Sequence, residues 1–163
     1  MATLYSKQRA QIIAQGVDPL EVYEENSRER SSFYSFNTTD QGGDAAAVGD
    51  KIILAKVPPH RKLDGISYAT DGLGAGWGVQ IGIEGADGSG SYDKSGNADD
   101  PDFFSASVDL SAVANGEIGK SLAEQNGYLT VKEVFITATI IDLGGFTSTA
   151  NRNLQGKVYY AGS

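Results

Sequence analysis

The chain has 163 residues, a formal net charge of −8 and no cysteine, and 40% of its residues are hydrophobic. That length accommodates one compact domain with a real core plus an appendage. The missing cysteine excludes disulfides, thiolate metal sites and cysteine nucleophiles, and the acidic balance argues against a general nucleic-acid binder or a ligand of anionic membranes, which need clustered Lys and Arg.

No apolar run approaches the roughly 20 residues of a membrane span. The opening MATLYSKQRAQIIAQG carries no apolar stretch of signal-peptide length. Assembly in a cytoplasm is therefore the expectation.

Glycine divides the sequence into two regimes. Only one of the 21 glycines, Gly16, precedes residue 42. The first 30 residues are rich in helix formers and read as an N-terminal arm, 1–30, ahead of a β-domain, 31–163. Within the arm, Ser6–Gln15 predicts a short helix stopped by Gly16, which can take a left-handed conformation past the last turn. Asp18 as N-cap, Pro19 at the first helical position and Glu21 three residues after the cap predict a second helix, running to about Arg30. Such short helices are marginal alone in water. The arm is expected to lie on its own β-domain, to reach a neighbouring subunit or another surface, or to fray.

The rest reads as short strands. Arg30–Thr38 is aromatic and hydroxyl-rich, and 40–49 is a loop. Ile52–Val57 is ended by Pro58-Pro59, because proline offers no ladder N–H and fixes φ. Leu63–Thr70 and Trp77–Glu84 follow, joined through Gly72, Gly74 and Gly76; Val79, Ile81 and Ile83 alternate with Gln80, Gly82 and Glu84. Ala86–Asp102 predicts a long loop, Phe103–Val108 a short strand or turn, and Ser111–Asn126 a loop with at most one helical turn. Strand character returns in Gly127–Val131 and Glu133–Asp142, whose two faces are both apolar or β-branched, as in a central strand. Leu154–Tyr160 closes the series. The expected fold is mainly β: an antiparallel β-sandwich or small barrel with a helical or extended N-terminal arm.

Candidate chemistry is thin. From Glu84 to Asp109 there are seven acids and one base, Lys94. Asp87, Asp93, Asp99, Asp100 and Asp102 are candidate calcium ligands, since calcium takes six to eight oxygens. The spacing matches no EF-hand, and a solvated Asp/Gly/Ser/Asn turn accounts for the same residues. His60 is the only histidine, in a basic cluster with Arg61 and Lys62. Gly72–Gly78 has glycines without the helix that a dinucleotide loop requires. Trp77, with Tyr68 and Tyr92, reads either as a sugar-stacking platform or as core. Tyr159-Tyr160 places one ring on each face of the last strand. With 21 acids, a carboxylate pair carries no specificity for glycosidase chemistry. No constellation indicates an enzyme, and no cofactor is called for.

The order of pieces carries a resemblance. LAKVPPHRKLDG, SYATDGLGAG and VQIGIEG are followed by DPDFF, VFITATI and a terminal GKVYY. Over about 49–160 this series resembles the tailed-bacteriophage capsid decoration proteins, also called cement or head-stabilising proteins. The resemblance implies a β-sandwich-like fold, self-association (often as homotrimers), binding to the major capsid protein on the outer capsid surface, assembly in the host cytoplasm, and no catalysis. On that reading Leu4, Ile12, Ile13, Leu20 and Tyr23 of the arm are the expected anchors, and Trp77, Tyr159 and Tyr160 the expected self-association residues. A carbohydrate-binding β-sandwich module, or another minor virion component such as a tail part, are the alternatives.

Overall fold

The computed structural model describes residues 3–5, 30–38, 46–119, 129–144 and 151–162. The two expected arm helices and most of loop 40–49 lie outside them. Among the described residues there are nine strands and no helix: β1 (Thr3–Tyr5), β2 (Arg30–Asn37), β3 (Lys51–Val57), β4 (Arg61–Asp71), β5 (Trp77–Gly85), β6 (Asp100–Asp109), β7 (Val113–Ile118), β8 (Val134–Leu143) and β9 (Asn153–Gly162).

The strands form two sheets, ordered β1-β3-β8-β5-β6 and β2-β9-β4-β7. The pairs β2–β9, β3–β8, β4–β7 and β5–β6 are those of one long antiparallel hairpin of eight strands. Rolling that hairpin up adds β4–β9 and β5–β8. The result is a jelly roll, a sandwich of two four-stranded antiparallel sheets. β1 extends one sheet by parallel pairing with β3, placing Leu4 in register with Ile52.

Alternation builds the core. Ile52, Val57, Val79, Ile81, Ile83, Ile136 and Ile140 come from one sheet, and Tyr34, Phe36, Leu63, Ile66, Leu154 and Val158 from the other; all are buried. Buried apolar side chains meeting across two inner faces are what a sandwich needs. Tyr34 keeps its hydroxyl satisfied by donating to the Ser67 carbonyl at 2.9 Å.

The chain changes sheets at the proline corner between β3 and β4. His60 takes a left-handed φ of 60° there. Thr130, fully buried, closes the corner: its hydroxyl accepts the Arg61 N–H at 2.9 Å and donates to the Pro58 carbonyl at 2.8 Å. The Thr130 carbonyl also accepts the His60 N–H.

Three expectations are corrected. Gly127–Val131, read as strand, holds among its described residues only an isolated bridge from Leu129 to Lys62, with Thr130 spent on the corner. Val113–Ile118, read as loop, is strand β7, paired with β4 from Asp71↔Val113 to Ile66↔Ile118. Its sequence, VANGEI, hides this because Val113, Asn115 and Glu117 face solvent and Gly116 lies under the Tyr68 ring, where a Cβ would collide. The segment read as a short strand or turn over 103–108 is a ten-residue strand starting at Asp100. β6 is an edge strand, where Pro101 can sit without breaking a ladder on both sides.

Candidate interaction surface

The acids of loop 86–99 serve the loop itself. Asp87 accepts the Ser89 N–H at 3.0 Å and the Ser89 hydroxyl at 2.7 Å, and pairs with Lys132 at 3.1 Å. The Ser89 hydrogen bonds, then Lys132, hold its pKa down at about 2. Asp93 accepts the Asn97 N–H at 2.9 Å. Partial desolvation works against its charge, but hydrogen bonds from Asn97, Ser95 and Gly96 keep its pKa below the ordinary carboxylate value. Asp99 accepts the Gly85 N–H at 2.8 Å, and Asp100 the Asp102 N–H at 3.3 Å. These are largely Asx-type turn contacts. Among the described residues, no three His, Asp or Glu side chains are grouped to hold a metal ion.

Asp100 differs in sign. Desolvation, then a hydrogen bond and the like charge of Asp102, raise its pKa above the ordinary value. A carboxylate beside another carboxylate holds its proton longer.

The aromatic candidates separate. Trp77 is 1% exposed and packed in the core, so its ring presents no face to a sugar or to a second subunit. Tyr68 packs against the core, and Tyr92 meets Phe103 edge-on at 5.9 Å. The three rings form no common exposed platform. Gly72, Gly74 and Gly76 have positive φ and make the tight turn into β5, where the Trp77 N–H donates to the Gly74 carbonyl at 3.1 Å. Tyr160 packs against the core, whereas the Tyr159 hydroxyl reaches Ser67 at 3.3 Å on the outer face of the β2-β9-β4-β7 sheet. Phe33, 47% exposed, sits two register positions away on β2. Of the expected anchors, Leu4 lies in β1; Ile12, Ile13, Leu20 and Tyr23 lie outside the described residues.

One concavity was not foreseen. On the outer face of the β3-β8-β5-β6 sheet, Lys51, Gln80, Glu84, Asp99, Thr137 and Thr139 line a cavity of about 310 Å³. Register brings them together: Lys51 and Gln80 both stand opposite Thr139, one on each side of β8. Lys51 and Glu84 pair at 2.5 Å. The wall on the β6 side is drawn close because Gly82 has no side chain; a Cβ there would strike the backbone of Asp100 and Pro101. The sequence signal was the Thr137/Thr139 alternation in an apolar strand, which also fits a central β8 with no site.

No family model matches the chain, and no curated protein matches it in sequence. Among solved structures it is similar to a chain of "Capsid of Ralstonia phage GP4", with a TM-score of 0.66 and 15% identity over 99% of each chain. It is also similar to a chain of "Cyanophage Pam1 capsid asymmetric unit", with a TM-score of 0.57 and 10% identity, over 92% of this chain and 96% of that one. At these identities the likeness establishes the fold: a jelly-roll sandwich shared, almost end to end, with chains in phage capsid structures.

Proposed function

We propose that this chain is a structural virion protein of a tailed phage, a decoration or cement protein that binds the outer surface of the major capsid protein lattice and stabilises the head. The carrying observation is the end-to-end likeness to a chain of a phage capsid structure, 99% of each chain at a TM-score of 0.66. A likeness that leaves almost nothing of either chain over fits a shared whole-molecule role better than a borrowed scaffold, although a fold alone assigns no function. The series of motifs from LAKVPPHRKLDG to GKVYY supports the same reading.

The mechanism is contact area rather than chemistry. Copies joined as a homotrimer touch several shell subunits at once, and linked weak contacts raise avidity without strong single ones. The arm, with Leu4, Ile12, Ile13, Leu20 and Tyr23, is the anchor in this reading. The outer face around Tyr159 is the self-association candidate, since Trp77 is spent on the core. No catalytic step belongs to the role.

Co-sedimentation of the purified chain with head shells of its phage tests the reading. Saturable binding and slower loss of shells on heating are expected; absence of binding overturns it. Removing residues 1–28, with folding checked by thermal melt, should abolish binding if the arm anchors. The solution mass tests the trimer: a stable monomer overturns that part and raises the carbohydrate-binding alternative.

A further inference from the structure

The geometry points to a second depression, on the outer face of the β2-β9-β4-β7 sheet, as a binding site for one sugar unit of a neutral saccharide. The inference goes beyond the virion role and does not depend on it. The depression exists because a small side chain lies between longer ones. Ala69 of β4 stands opposite Gln155 of β9 on one side and Asn115 of β7 on the other, and its methyl group leaves the face hollow there. Thr70, Asp71, Val113, Asn153 and Gln155 complete the lining. The volume is about 310 Å³, at the small end of ligand pockets, which suits a single ring rather than a folded segment.

The second observation is that the polar groups of this lining are both oriented and within reach of a guest. The Asp71 carboxylate accepts the Asn153 N–H at 2.7 Å and the Asn153 side-chain amide at 3.1 Å. The Asn153 Oδ1 accepts the Asn37 amide at 2.8 Å, and the Thr70 hydroxyl donates to the Asn153 carbonyl at 3.1 Å. This wall is set before any guest arrives, which lowers the cost of binding. Asn153 and Gln155 are nevertheless exposed, and the Gln155 amide has no hydrogen-bond partner among the described residues. A sugar hydroxyl is donor and acceptor at once, and amides beside a carboxylate with spare lone pairs meet both needs. Val113, 80% exposed, and the Ala69 methyl group supply apolar surface for the ring C–H groups. A charged guest is less well served. An anion meets Asp71, and a cation meets a carboxylate that already accepts two hydrogen bonds, with the Arg152 guanidinium beside it on the Asp71 carbonyl at 3.5 Å.

An NMR titration of the isotope-labelled full chain with D-glucose, D-galactose and N-acetyl-D-glucosamine in turn tests this without any shell, so its failure is distinct from failure of the virion role. Saturable shifts with at least one of the three are expected, confined to Ala69, Asp71, Val113, Asn153 and Gln155 and including the side-chain amide signals of Asn153 and Gln155. Sodium acetate and arginine amide should give none there. Ala69→Leu, which fills the hollow, should abolish the shifts. Gln155→Ala removes one amide from an exposed position without touching the strand ladder, and should weaken binding about two- to tenfold, the worth of one hydrogen bond. The inference is overturned by no saturable shift with any of the three sugars, by shifts spread over the whole chain, by an acetate or arginine response at the same residues, or by binding unchanged in both variants.

Discussion

Thr130 and Pro58 are 72 residues apart in sequence and joined by a 2.8 Å hydrogen bond from the Thr130 hydroxyl to the Pro58 carbonyl. The same hydroxyl accepts the Arg61 N–H, so one fully buried oxygen satisfies both ends of the turn that carries the chain from one sheet to the other. Thr130→Val keeps the shape and leaves a backbone donor and acceptor unpaired. A loss of about 1–3 kcal/mol is expected in urea unfolding, with Thr130→Ser retaining most of the stability.

Two glycines of β5 behave differently for one physical reason each. At Gly82 a Cβ would meet the backbone of Asp100 and Pro101, which cannot swing aside as a side chain can. At Gly78 the nearest atom is a side-chain carbon of Ile141 at 3.5 Å, ordinary contact. Gly82→Ala should cost about 1–3 kcal/mol by forcing β6 away, and Gly78→Ala about 0.5 kcal/mol or less. Paired thermal melts of the two variants check this, and equal losses would refute the close-approach account.

Much of the fold was legible because β5 alternates, β8 is apolar or β-branched on both faces, β3 is a largely apolar run stopped by Pro58-Pro59, and glycines mark the turn into β5. The proline corner was visible too, but not its partner: nothing local in the sequence ties Thr130 to Pro58. β7 was not legible, since an edge strand buries only one face and spends it on Ala114, Gly116 and Ile118. Sheet order was equally hidden, because alternation says that a strand is half-buried and not beside which strand it lies. The cavity fell with it. Lys51, Gln80 and Thr139 become neighbours only through the β3–β8–β5 register.

Trp77 gives an optical probe of the same core. It is the single tryptophan and 1% exposed. Its emission should be blue-shifted and poorly quenched by acrylamide in the native protein, and should move red in one step on unfolding. Trp77→Ala should cost about 3–5 kcal/mol, the cost of deleting a large buried ring. Ready quenching in the folded protein would show the ring on the surface and return it to the set of contact residues.

Two acids near the β5–β6 turn should respond to pH with opposite signs. Asp100 has a raised pKa because desolvation and then Asp102 disfavour its charge, so its folded form holds a proton more tightly than the unfolded chain does. Its contribution favours folding below the ordinary value of 3.8 and is lost as pH rises through the raised value; at neutral pH the charged form works against the fold. Asp100→Asn is always neutral and donates to Asp102, so near neutral pH its Tm should rise by about 1–2 °C, a shift of surface-substitution size. The gain should vanish near about pH 3, where the wild-type carboxyl is neutral as well. Asp87 is the reverse case: its pKa of about 2, set by Ser89 and then Lys132, favours the fold above 3.8 and is lost as pH falls through about 2. Asp87→Asn should therefore lower Tm near neutral pH, with the deficit narrowing only at the acid end. Melting curves of both variants across that range decide the matter, since variant effects that run parallel at all pH values would mean that neither carboxyl titrates as its hydrogen bonds require.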